Sequence, residues 1–149
     1  MTDLVKLADQ YAEEKHSGQT DKAGLPYIGH PRAVAAKLSG ETEKIVALLH
    51  DTVEDTDATI EEIRALFGDE AADAVQCLTH EKGVPYMEYV ARIRENPLAR
   101  KVKMADLTHN MDTSRLPEIT ERDLQRLEKY KAAYEMLKEE EASGESSNG

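Results

Sequence analysis

Apolar residues recur three and four positions apart through nearly every segment of this chain, and valine, isoleucine, tyrosine and threonine nowhere gather into a clean alternating run. That spacing gives each segment one apolar stripe at helical pitch, which has to be buried against other helices. The pattern predicts an all-α fold. A first helix is expected over Leu4 to about His16, with Leu4, Leu7, Ala8 and Tyr11 on one side. The following GQTDKAGLPYIGHP reads as a loop in which Gly18, Gly24 and Gly29 permit unusual backbone angles and Pro26 and Pro31 resist helix continuation. Pro31 suits the first turn of a helix running to about Leu38. ETEKIVALLHDTVED supplies the next helix, with Ile45, Leu48 and Leu49 buried. Thr59 with Glu62, and Thr120 with Asp123, carry capping signals for IEEIRALF and for a long charged helix through about Glu140. Between them lie EAADAVQCLTH and two further helices, Tyr86 to Arg94 and Leu98 to Asn110. Together these make about seven to nine helices.

With 149 residues the chain fits one domain, expected over 1–142, followed by a polar, Gly- and Ser-rich tail over 143–149 that is expected to be disordered. No apolar run of membrane-spanning length and no N-terminal signal segment is present, and the single cysteine, Cys77, fits the cytoplasm. Cys77 stands among Ala74, Val75 and Leu78 and reads as a packed thiol. The net charge of -11, from 30 acidic and 19 basic side chains, disfavours a nucleic-acid coat, which needs many phosphate-neutralising cations. A small anionic substrate stays compatible, because a metal ion and a few local cations can reverse the potential inside one pocket. The charged last helix could pair with a second copy in a homodimer or pack one stripe within the chain.

The stretch LLHDTVEDT, residues 48–56, ends an apolar run with His50, Asp51, Glu54 and Asp55. On a continuous helix His50 and Glu54 share one side, and Asp51 and Asp55 lie about 100 degrees round. So many carboxylates beside an apolar face repel one another and lose hydration unless a cation compensates. His30, in the Gly- and Pro-shaped GHP junction, and Asp106, in the packed segment KVKMADLTHN with Asn110 four residues on, extend the set. Two imidazoles with two carboxylates suit Mn²⁺, Fe²⁺, Zn²⁺ or Co²⁺ better than Mg²⁺. The preferred division makes His30, His50, Asp51 and Asp106 the metal ligands. Glu54 and Asp55 are left to orient water or take its proton.

The segments HSGQTDKAGLPYIGHPRAVA, ALLHDTVEDT and KVKMADLTHNM resemble, in order and approximate separation, the three signature blocks of the HD-domain superfamily, and within it the hydrolase domain of RelA/SpoT-type alarmone enzymes and their small stand-alone versions. The resemblance covers His16 to Met111, about two thirds of the chain. It implies an all-helical fold holding one Mn²⁺, and hydrolysis of the 3′-pyrophosphate of guanosine tetra- or pentaphosphate to GDP or GTP and pyrophosphate. The family's metal ligands fall on His30, His50, Asp51 and Asp106, and its catalytic acidic pair on Glu54 and Asp55. Its nucleotide contacts fall on Asp21, Lys22, Asn110 and Tyr130. No synthetase activity is implied.

Two positions depart from the family. Asp21 stands where an arginine is usual, placing an anion near a polyanionic ligand. Leu107 stands where a basic residue is common. An HD-type hydrolase acting on another nucleotide or phosphoester is therefore the alternative reading. Among the remaining residues, Lys82 and Arg115 read as surface cations, Lys103 as an ion-pair partner on the Asp106 face, His109 as a supporting or exposed residue, and His80 as a helix end. His16 reads as a helix end that suits the C-terminal dipole or bonds the following loop, and Tyr27 as a loop anchor supporting His30.

Overall fold

Four helix starts in this chain carry a side chain that accepts a free backbone amide of the first turn: Thr2, Thr59, Asn96 and Thr120. In the computed structural model, residues 2–21, 23–114, 116 and 118–138 are described in full, and 139–148 only as backbone. Lys22, Arg115 and the 143–149 tail expectation therefore lie outside the fully described residues. Among the described residues eight helices of at least eight residues and one single turn are formed: α1 (Asp3–Lys15), α2 (Gly29–Ala36), α3 (Glu41–Leu49), α4 (Thr52–Asp55), α5 (Ile60–Phe67), α6 (Asp69–Leu78), α7 (Tyr86–Ile93), α8 (Pro97–Asn110) and α9 (Glu121–Asn148). The only strand-like feature described is an isolated bridge between Thr20 and Pro26. No described helix is long and apolar enough to cross a membrane.

Thr59 Oγ1 accepts from Glu62 N at 3.2 Å, as its spacing predicts, but the Glu62 carboxylate accepts from Tyr11 Oη at 2.7 Å instead of closing the box. Thr120 and Asp123 form the full reciprocal pair, with Asp123 N donating to Thr120 Oγ1 at 3.2 Å and Thr120 N to Asp123 Oδ2 at 2.9 Å. α2 starts at Gly29, so Pro31 occupies its third position, where an amide would have had no intrahelical acceptor.

α3 is the central helix, packed on α1, α2, α6 and α8. Ile45 to Leu49 are all buried, so the C-terminal half of this helix is apolar around its whole circumference. Leu48 and Leu49 each contribute about 2 kcal/mol by leaving water. On α1 the buried stripe is Val5, Ala8 and Ala12, whereas Leu4 and Leu7 are exposed, contrary to their expected placement. The small residues let α1 lie close against α3, and leucines at that seam would have held it away. α9 lies on α7 and α8, with Ala133 and Leu137 buried, which is the intramolecular packing of one stripe.

The expected continuous helix through ETEKIVALLHDTVED is broken. α3 ends at Leu49, and α4 is a separate turn from Thr52 to Asp55. Thr52 Oγ1 donates to Leu49 O at 2.7 Å and His50 Nδ1 to Ala47 O, so side chains capture carbonyls near the break and bend the chain there.

Candidate active site

That bend decides which way the polar residues after His50 face. His50 at the end of α3, His30 in the first turn of α2 and Asp106 in α8 converge because α2, α3 and α8 pack on one another. All three side chains are buried. His30 Nε2 is 2.7 Å from Asp106 Oδ1, and His50 Nε2 is 3.3 Å from the same oxygen. Each residue offers one donor atom to a set lying within 4.8 Å of one another, an arrangement suited to a divalent ion. Asp51 stands beside them, its Oδ2 3.1 Å from His50 Nε2 and 3.8 Å from His30 Nε2. Tyr27 Oη donates to that same Asp51 oxygen.

The surrounding contacts fix these groups. A carbonyl can only accept, so His50 carries a proton on Nδ1 and turns Nε2 toward the carboxylates. In the neutral ring a lone pair would then face the oxygens of Asp51 and Asp106 at 3.1 and 3.3 Å, which is repulsive without a cation between them. A proton or a metal ion meets that need, and the N,N,O donor chemistry fits a borderline divalent metal. Without metal, burial works against a charged His50, but Asp51 and Asp106 outweigh it and push its pKa well above the ordinary histidine value. Asp106 shows the converse: burial pushes its pKa up, yet Lys103 and His50 hold it well below the carboxylate range. Lys103 Nζ is 3.0 Å from Asp106 Oδ2, the ion pair that its i,i+3 spacing predicts. Asn110 Nδ2 donates to Asp106 Oδ1 at 3.1 Å. His109 takes the supporting role, its Nδ1 2.7 Å from His30 Nδ1.

Glu54 and Asp55 line the same cavity, of about 540 Å³, large enough for a nucleotide. With the helix broken, Glu54 does not stack under His50; its Oε1 accepts from His80 N at 2.7 Å in the loop after α6. Burial first, then the charges of Asp51 and Glu54, push Asp55 up to about 6. A carboxylate in that range can exchange a proton near neutral pH.

The cavity also includes Asp21, Asn110 and Tyr130, so the described nucleotide-contact candidates border the candidate metal ligands. Asp21 Oδ1 accepts from Ala23 N at 2.9 Å and Leu25 N at 3.0 Å, so the unusual aspartate shapes its own loop. Leu107 is fully buried in the core, and its departure from the family pattern does not touch the cavity. Lys82 is exposed and outside the lining. Sequence reasoning missed Tyr86, Arg126 and Lys129 in the wall. The last two fall four and one residues before Tyr130, so the helical period of α9 held a signal for Arg126. Lys129 Nζ lies 4.6 Å from the Tyr86 ring centroid and 5.6 Å from that of Tyr130.

The HD-domain profile matches residues 8–128. Over 121 residues the chain is 38% identical to the guanosine-3′,5′-bis(diphosphate) 3′-pyrophosphohydrolase of Aquifex aeolicus, covering 73% of this chain and 17% of that protein. It is 42% identical over 114 residues to the guanosine-3′,5′-bis(diphosphate) 3′-pyrophosphohydrolase MESH1 of Danio rerio, covering 68% of this chain and 63% of that one. The chain thus spans less than two thirds of either relative. A solved structure described as a metazoan ortholog of SpoT that hydrolyzes ppGpp and plays a role in starvation responses superposes with a TM-score of 0.74 at 27% identity, over 92% of this chain and 86% of that one. Helical architecture, converging histidines and aspartate, and a match running through all three segments agree: the chain belongs to the HD-domain family.

Proposed function

We propose that this chain hydrolyses the 3′-pyrophosphate of guanosine tetra- or pentaphosphate, giving pyrophosphate and GDP or GTP, with one Mn²⁺ held by His30, His50, Asp51 and Asp106. The observation that carries this reading is the meeting of His30, His50 and Asp106 beside a cavity lined by His30, Asp106, Glu54 and Asp55, in a chain resembling proteins named for that reaction. When bound, the divalent ion lowers the pKa of water and offsets phosphoryl charge. Asp55 accepts the proton of the attacking water, and Glu54, fixed by the His80 amide, orients that water. The water oxygen bonds to the phosphorus carried on O3′. The P–O3′ bond breaks with its electron pair on O3′, which takes up a proton to become the hydroxyl.

Arg126 and Lys129 supply positive charge to a wall otherwise rich in carboxylates, and Tyr130 offers a ring face to the nucleoside. Asn110 and Lys22 complete the proposed nucleotide contacts. The single thiol of Cys77, half-buried and outside any disulfide, supports a cytoplasmic enzyme. A second reading keeps the chemistry but changes the phosphorylated substrate. It is favoured by Asp21, which puts a carboxylate in the wall where the family carries a cation. The test is incubation of Mn²⁺-loaded protein with a nucleotide panel including ppGpp, followed by identification of the fragments. Pyrophosphate with GDP is the expected result. Cleavage of another phosphate compound with none of ppGpp would select the second reading.

A further inference from the structure

The α1–α2 loop braces the carboxylate turn at both ends. α4 is a single turn, and the chain leaves it in extended geometry at Thr56. A one-turn helix cannot hold its own last carbonyls, so groups from elsewhere must fix its end. Gln19 Nε2 donates to Asp55 O at 3.1 Å. On the other side of the same amide, Gln19 Oε1 is 2.9 Å from His16 Nδ1. The amide orientation is set by its partners: reversed, its oxygen would face the Asp55 carbonyl. His16 therefore donates from Nδ1, and it is only 2% exposed, its ring 4.9 Å from that of Tyr27. The Tyr27 hydroxyl in turn donates to Asp51, at the head of α4. Gln19 N donates to His16 O at 3.0 Å and Tyr27 N to Gln19 O at 2.9 Å, so the loop holds its own shape while touching both ends of the turn.

We propose that Gln19 is a positioning residue for Asp55, oriented by the buried His16, so that the His16–Gln19 pair aims the Asp55 carboxylate at the reacting water. This rests on the reading of Asp55 as a water-handling group. Gln19 touches the backbone of Asp55 and does not itself line the cavity, so its contribution is to geometry, which reaction rates sense steeply.

Gln19 is half-buried and His16 buried, so substitution at Gln19 is expected to perturb the fold less and is the variant of choice. Gln19→Met keeps the volume and removes both bonds; Gln19→Glu keeps the acceptor for His16 but turns an anionic oxygen to the Asp55 carbonyl. With ppGpp as substrate, both variants are expected to lower kcat about ten- to hundredfold while leaving KM and Mn²⁺ stoichiometry unchanged. Amide hydrogen exchange in metal-free protein should quicken at Asp55 and Thr56, whose N–H groups bond Asp51 O and Thr52 O at 3.0 and 2.9 Å. Unchanged kcat, or a loss of kcat accompanied by loss of metal, would overturn the positioning role. Should the parent protein not act on ppGpp, the hydrolase reading fails separately, and unaltered exchange in Gln19→Met then overturns the brace itself.

Discussion

The two oxygens of Asp106 are divided between opposite partners: Oδ1 faces His30 Nε2 at 2.7 Å, and Oδ2 holds Lys103 Nζ at 3.0 Å. One carboxylate thus joins the candidate metal centre to a half-buried lysine that lies 5.3 Å from the Tyr89 ring centroid. Removing Lys103 would leave Asp106 buried among fewer cations. Lys103→Met is expected to destabilise the metal-free protein by about 3 kcal/mol in urea unfolding. Added Mn²⁺ should recover part of that loss by supplying the missing positive charge. Equal unfolding midpoints for parent and variant without metal would contradict the arrangement.

Asp55 gives a pH dependence of definite sign. Its folded pKa of about 6 exceeds the ordinary aspartate value, so folding takes up a proton between about pH 4 and 6, and stability falls as pH rises through that window. Metal-free Asp55→Asn should consequently melt higher than the parent at pH 8 and together with it at pH 4. Thermal scans at the two pH values check this; a gain appearing only in acid would reverse the assignment.

His109 contacts His30 through the ring nitrogen remote from Asp106. Such a partner fixes the orientation of a ligating imidazole. His109→Phe keeps a ring for the tilted contact, whose centroids lie 4.8 Å apart, and removes the nitrogen. Calorimetric titration should show Mn²⁺ binding weakened about ten- to hundredfold.

Asp21 combines a loop-shaping role with an unfavourable charge. Asp21→Asn retains the Oδ1 acceptor for Ala23 N and Leu25 N while deleting the anion from the cavity wall. It is expected to lower KM for ppGpp severalfold at unchanged kcat, an effect that salt should diminish. Asp21→Arg should gain less than its charge suggests, because it frees both amides.

The sequence by itself determined the helical class, most helix boundaries and the identity of the cluster, because apolar period and capping chemistry are local and the three blocks carry their residue types in order. Thr120 with Asp123 and the Lys103–Asp106 pair are such local readings. The break between α3 and α4 was not legible, since it depends on Thr52 and His50 bonding carbonyls in competition with a continuous helix. That bend separates Glu54, which turns to the His80 amide, from His50, which α3 carries into the histidine–aspartate cluster. Only tertiary packing could bring Gln19 to Asp55, His109 to His30, and Arg126 with Lys129 into the wall, because these meetings join segments tens of residues apart. Their geometry follows from how whole helices dock, which the spacing of side chains along one segment does not encode.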